Sequence, residues 1–179
     1  MNEDAMLQPC KPAPALTVPL TAGGTYTLGE TPPESFEILV FYRGKHCPIC
    51  RDYLQAIEAL LDDVAAEGVR IAAFSMDEET RAKTSVADWG ITRLPVGYAL
   101  PEAVARAYGL YISSKREGSA EPERFSEPGL FVLDPDGVVF FAQTQSAPFT
   151  RPDIATLLRN LKFVKENNYP ARGDLTEAA

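Results

Sequence analysis

The sequence predicts an α/β fold in which a central mixed β-sheet carries helices on both faces and an N-terminal β-hairpin extends it. Three observations lead there. Two short apolar runs, Phe36–Phe41 and Val69–Phe74, are each followed by a stretch with helical periodicity, which is the pattern of β-α-β units. A strand–turn–strand unit, Leu130–Leu133, Asp134-Pro135-Asp136-Gly137 and Val138–Phe141, sits near the C-terminus. A last amphipathic stretch follows it, with Ile154, Leu157, Leu158, Leu161 and Val164 at helical spacing. Crossovers of the β-α-β kind are right-handed, which leaves few ways to assemble these pieces.

Residues 9–20 contain Pro9, Pro12, Pro14 and Pro19 and read as an extended arm. Gly23-Gly24 turns the chain into Tyr26-Thr27-Leu28, the second half of a short hairpin. The loop 30–35 then releases the strand 36–41. Leu54, Ile57, Leu61 and Val64 mark one helix that ends at Gly68, a good residue for the left-handed stop. After the strand 69–74, Ser75 and Glu78 fit a capping box and open a helix that runs to Trp89-Gly90. Trp89, the only tryptophan, is expected against the core. Leu94-Pro95-Val96 is a short extended piece, and Pro101 opens a helix with Val104, Ala107 and Tyr108 on one face, closed by Gly109. Residues 113–127 are polar, charged and without apolar period, and read as a mobile surface loop. The last helix is expected to begin near Thr150, with Asp153 as its capping partner, and residues 170–179 to form a loose tail. No internal repeat interrupts this order, and a single domain spanning 1–179 is expected.

Composition bounds the function. A net charge of -8 argues against nucleic acid or an anionic membrane as partner. No apolar run is long enough to span a membrane, and residues 1–9 carry neither a basic nor an apolar leader segment. Three cysteines do not make an extracellular disulfide framework, so a cytoplasmic location is expected.

The chemistry is concentrated in Phe41-Tyr42-Arg43-Gly44-Lys45-His46-Cys47-Pro48-Ile49-Cys50-Arg51. Two of the three cysteines and the only histidine lie here, between a strand and a helix. A Cys-x-x-Cys at such a junction is the layout of a redox dithiol. Cys47 falls at the helix N-cap, Pro48 at the first helical position and Cys50 one turn on. At the N-cap a sulfur can accept from the amide of Cys50 and faces the positive end of the helix. Arg43, Lys45 and Arg51 surround the pair, and no carboxylate occurs between Glu37 and Asp52. Such surroundings bring a thiol from about 8.5 down to roughly 3.5–7.5. His46 and Arg51 are therefore candidate thiolate-activating residues, and His46 reads equally as a filler before the first cysteine. A zinc site would need Cys10, His46, Cys47 and Cys50 together, and the adjacency of His46 and Cys47 makes that awkward, so no metal is expected. Cys10 sits in the arm, far along the chain from the dithiol, and reads as a surface thiol in preference to a third redox partner.

The motifs Lys11-Pro12-Ala13-Pro14, FYRGKHCPIC and GLFVLDPDG resemble the peroxiredoxin-like (alkyl hydroperoxide reductase/thiol-specific antioxidant) branch of the thioredoxin superfamily, over roughly residues 10–165. The resemblance implies a thioredoxin-like fold, an oxidoreductase acting on thiols, disulfides or peroxides, and no cofactor. Its substrates would be protein or small-molecule disulfides, or peroxides. It would be recycled by a reducing thiol system such as thioredoxin or glutathione, and a homodimer is open. Peroxiredoxins carry Pro-x-x-x-Thr-x-x-Cys. Here Arg43 stands at the proline, Cys47 at the threonine and Cys50 at the peroxidatic cysteine. The family arginine before the Gly-x-Phe strand is replaced by Pro128, which resembles the substrate-docking cis-proline of thioredoxins. Cys47 and Cys50 are thus expected to be a reversible couple for thiol–disulfide exchange, with Pro128 binding substrate and slow reaction with peroxide. The alternatives are a peroxidase with Cys50 peroxidatic and Cys47 resolving, with Arg43, Arg51 or Arg124 supplying the missing charge, and a redox-sensing module without turnover.

Overall fold

The computed structural model describes residues 7–175. A hairpin comes first, β1 (Thr17–Pro19) and β2 (Thr25–Thr27), followed by β3 (Phe36–Phe41), α1 (Pro48–Ala59), α2 (Leu61–Ala66) and β4 (Val69–Phe74). Then come α3 (Glu79–Trp89), β5 (Val96–Gly97), α4 (Glu102–Ala107), β6 (Ile112–Ser114), β7 (Arg124–Ser126), β8 (Gly129–Leu133), β9 (Val139–Thr144) and α5 (Ile154–Asn167). The central sheet has the order β5-β4-β3-β8-β9. β3, β4 and β5 are parallel, while β8 runs antiparallel to both β3 and β9. This is the mixed sheet of a thioredoxin-like fold, with β3 at its centre.

All six residues of β3 are buried, so both faces of the sheet are covered. Alternation along the strand divides them. Ile38 and Val40 point into one core with Leu54 and Ile57 of α1, Val64 of α2, Trp89 of α3, and Ile154, Leu158 and Leu161 of α5. Leu39 and Phe41 point into the other, with Val18 and Tyr26 of the hairpin, Ala105 of α4 and Tyr108. Cys47 and Cys50 belong to the first core.

Several local expectations are corrected. The helix after the dithiol is two helices, broken at Leu60, whose N–H bonds Ile57 O at 2.9 Å and so closes a tighter turn. Neither glycine nor proline marks the break. α3 has no capping box: its N-cap is Glu78 and no side chain caps it. Ser75 Oγ instead accepts from Asp77 N–H, and the Asp77 carboxylate is taken by Lys45 N–H and Arg81. α4 has Pro101 at its N-cap and buries Ala105, while Ala107 is exposed. The 113–127 stretch is not an unstructured loop. β6 and β7 form an antiparallel pair, and Glu121 and Glu127 on the connection and after β7 are buried. Ion pairs from Glu121 and Glu127 to Arg43 join the single buried aromatic Phe125 in holding this hairpin, so it shows no hydrophobic period.

α5 starts at Ile154, with Asp153 itself as N-cap accepting from Thr156 N–H at 2.8 Å. Asp153→Ala is expected to lower the stability of the fold by removing this cap. Denaturant unfolding measures it, and an unchanged midpoint would show that the cap contributes nothing. Of the C-terminal tail, residues 170–175 follow α5 without regular structure, and 176–179 lie outside the described residues. Among the described residues no helix is long and apolar enough to cross a membrane.

Candidate active site

β3 delivers the chain to the site, and Asp77 holds the turn that follows. Lys45 N–H donates to Asp77 Oδ2 at 2.7 Å, and Arg81 Nε donates to Asp77 Oδ1 at 3.2 Å. Gly44 sits against that carboxylate with φ +119°, a backbone region that disfavours any other residue. α1 then begins with Cys47 at the N-cap and Pro48 in its first turn. Cys47 Sγ accepts from Cys50 N–H at 3.3 Å, as a capping sulfur should. Both thiols are free and buried, at 1% and 0% exposure.

Cys50 Sγ accepts from Arg151 Nη2 at 3.0 Å. Arg151 lies between β9 and α5, and its guanidinium also stacks on Tyr53, 5.1 Å from the ring centre. Tyr53 in turn donates its O–H to Pro152 O at 2.7 Å, tying the arginine's segment to α1. The expected neighbours do something else. Arg51 is half-exposed and pairs with Asp52 at 2.8 Å. Arg124 is held by Glu102. Arg43 pairs with the buried Glu121 at 3.3 Å and Glu127 at 3.2 Å, and lies over the Phe125 ring at 4.7 Å.

The two thiols are pushed apart. The Cys50 thiol and amide donating to its sulfur, with Arg151 and Arg43 nearby, bring Cys47 down to about 6 against the opposing effect of burial. Burial and the neighbouring thiolate push Cys50 up, with Arg151 working against them. At neutral pH the pair thus holds one proton and one negative charge. Reaction with an alkylating agent is expected to be level above about pH 7 and to fall about tenfold per unit below pH 6, where the pair becomes neutral. A rate that keeps rising up to pH 9 would show that neither thiol is activated.

His46 is neutral rather than cationic: burial and Arg43 lower it to about 4. Its ring stands edge-to-face on Phe125 at 4.7 Å, and both ring nitrogens are buried without a partner. Pro128 is buried just before β8, at the same edge of the sheet as the dithiol. Among the described residues there is no cis peptide, so the likeness to the thioredoxin cis-proline fails in its geometry. Cys10 is exposed, with its N–H bonded to Val139 O.

The AhpC/TSA family profile matches residues 9–142, most of the chain. The chain belongs to the AhpC/TSA family. It is accordingly a peroxiredoxin-type oxidoreductase that acts on thiols, disulfides or peroxides. The matched span contains both cysteines of the dithiol and stops short of Arg151. No curated protein sequence matches the chain. Among solved structures, the peroxidoxin BcpB of Mycobacterium tuberculosis is similar with a TM-score of 0.70 at 16% identity, covering 88% of this chain and 98% of that one. A peroxiredoxin-like protein of Aquifex aeolicus gives 0.71 at 17% identity, over 89% and 88%. A reduced 2-Cys peroxiredoxin of Plasmodium vivax gives 0.71 at 17%, over 96% and 88%. At these identities the likeness is one of fold. The AhpC/TSA assignment rests on the family profile, and within that family the present chain has a second cysteine where the resemblance expects threonine.

Arg151 is the site residue that motif reading misses. The signal that reaches it is topological. β9 is antiparallel to β8, which is antiparallel to β3, so β9 runs with β3. The connection after β9 therefore emerges at the edge where β3 releases the dithiol, and Arg151 lies on it.

Proposed function

We propose that this AhpC/TSA protein is a thiol-dependent peroxidase in which Cys50 meets the peroxide and Cys47 resolves the product. The observation that carries this reading is the Arg151 guanidinium on Cys50 Sγ at 3.0 Å. It supplies fixed positive charge where the family arginine is missing and Pro128 stands instead. The family register, which puts Cys50 at the peroxidatic position, agrees with it.

The chemistry uses the single charge of the pair. Transfer of the shared proton to Cys47 leaves Cys50 as thiolate under Arg151. Its sulfur attacks one peroxide oxygen, the S–O bond forms and the O–O bond breaks, and the leaving oxygen takes up a proton. Arg151 stabilises the charge that develops on that oxygen. Cys47, deprotonated again near neutral pH, attacks the sulfenic sulfur, forming the disulfide and releasing water. A reductant of the thioredoxin or glutathione type then restores both thiols by exchange. No cofactor enters this cycle.

One observation favours a second reading, disulfide exchange with Cys47 attacking: the Cys47 thiol is the one brought down to about 6. Stopped-flow oxidation of single-cysteine variants separates the two. Cys50→Ser is expected to lose fast oxidation by peroxide, whereas Cys47→Ser keeps it and stops at a sulfenic acid that a dione probe traps. The reverse pattern would make Cys47 the attacking residue. Fast oxidation of neither, with rapid exchange against a protein disulfide, would remove the peroxidase reading.

A further inference from the structure

The central sheet is open along part of β4. That strand runs from Val69 to Phe74, yet its outer neighbour β5 pairs with only Ala73 and Phe74. In a parallel ladder the N–H and C=O of one residue face the same neighbour, and successive residues alternate. Phe74 O accepts from Tyr42 N–H on the β3 side, and Ala73 N–H donates outwards to Pro95 O at 2.9 Å. Val69 and Ile71 therefore turn their polar groups outwards as Ala73 does, and among the described residues these groups have no hydrogen-bond partner. Pro95 has no N–H to offer Ile71 O. Residues 92–94, which would continue β5 alongside them, are drawn off by Glu58 of α1. Its carboxylate accepts the N–H groups of Thr92 at 2.9 Å and of Arg93 and Leu94 at 2.8 Å. A cleft of ≈ 300 Å³ lies along the open stretch. One wall is Leu61, Val64 and Ala65 of α2, and the other is Tyr26 and Glu30 beside the hairpin. Val64 and Tyr26 belong to the cores on opposite faces of the sheet, so the cleft straddles the sheet's edge.

We infer that this edge is a docking site, joined as a further strand by an extended segment of a partner protein in which apolar and basic residues alternate. Main-chain hydrogen bonds to Val69 and Ile71 supply affinity, and alternate side chains supply specificity. Side chains on the α2 side meet an apolar wall. Those on the hairpin side meet Glu30 and the buried Glu37, against the single cation Arg70. Glu37 Oε1 accepts from Tyr26 O–H at 2.8 Å, while Arg70 stays 3.8 Å away. Two acids against one base, on a chain of net charge -8, favour lysine or arginine at those positions. The open stretch is at the start of β4, away from the end of β3 that carries the dithiol, so the inference does not depend on the peroxidase reading.

The probe is the hexapeptide Ac-Lys-Val-Lys-Val-Lys-Val-NH2, titrated into the full chain by calorimetry. A dissociation constant below about 1 mM is expected. At about ten times that constant, amide exchange at Ile71 is expected to slow about tenfold, while the Ala72 amide, which faces β3, keeps its rate. Replacing the lysines of the peptide by glutamates is expected to weaken binding at least about tenfold. Ala65→Trp, at an exposed position on the α2 wall, should weaken the lysine peptide at least about tenfold and leave peroxide oxidation unchanged. No binding, equal binding of the two peptides, or unchanged exchange at Ile71 would each overturn the inference, and none of these comparisons needs a variant to fold. A dimer in sedimentation that excludes the peptide and is lost in Ala65→Trp would give the edge to a second copy of the chain, and would overturn it too.

Discussion

Arg151→Met lowers the rate of oxidation of the reduced protein by peroxide by about 100- to 1000-fold, roughly 3–4 kcal/mol of barrier. The expectation follows from the one hydrogen bond that Cys50 Sγ receives from a cation, at 3.0 Å. In peroxide reduction charge moves from sulfur to the departing oxygen, and a fixed cation beside both ends acts on the transition state more than on the resting thiolate. Methionine keeps an unbranched side chain of similar length and removes the charge, the donors and the stacking of the guanidinium on Tyr53. Arg151→Lys should recover part of the rate, since lysine restores the charge without the planar fork. Single-turnover stopped flow gives the rate, and titration of thiolate absorbance shows whether the resting pair shifted as well. A rate within threefold of the unaltered protein would mean that the arginine braces the α5 junction and takes no part in the reaction.

Gly44→Ala is expected to destabilise the fold by roughly 3–5 kcal/mol, combining backbone strain with displacement of a buried charged partner. A Cβ built at Gly44 would lie 2.6 Å from Asp77 Oδ2 and 2.7 Å from Asp77 Oδ1, and φ is +119°. Asp77 cannot simply swing away, because its carboxylate is fully buried and binds Lys45 N–H and Arg81. A change of that size lowers the melting temperature by about 10 °C in a domain of this length. It should also displace Lys45 and the turn that aims Cys47. Thermal unfolding together with the thiolate titration reads both effects. A melting temperature within 2 °C of the unaltered protein would show that the turn yields cheaply.

The parts of this fold that can be read from the chain are those whose causes are local. β3, β4 and the β8–β9 hairpin announce themselves by short apolar runs next to turn residues. The N-cap role of Cys47 follows from Pro48 and the apolar spacing behind it. What escapes has its cause elsewhere in the sequence. The break at Leu60 carries no breaker residue, so nothing in the local sequence marks it. The β6–β7 hairpin is fixed by carboxylates that meet Arg43, a partner 78 residues from Glu121. The loop composition of 113–127 describes its exposed residues correctly and is silent about the two acids turned inward. At the site the same distinction holds. Charges adjacent to Cys47 and Cys50 along the chain, Arg51 and His46, turn out to be paired with Asp52 or to be neutral. The cation on Cys50 comes from the far end of the fold.

That separation has a consequence in time. Arg151 follows Cys50 by 101 residues. On a ribosome adding about 5–20 residues per second, both cysteines are made roughly 5–20 s before the arginine that serves them. A nascent chain therefore holds its two thiols for a time without the guanidinium, and α5, whose start is tied through Pro152 to Tyr53, is made later still. On the role proposed for Arg151, fast reaction of Cys50 with peroxide is expected only after residue 151 has been made and docked, and a chain cut short before it lacks that guanidinium.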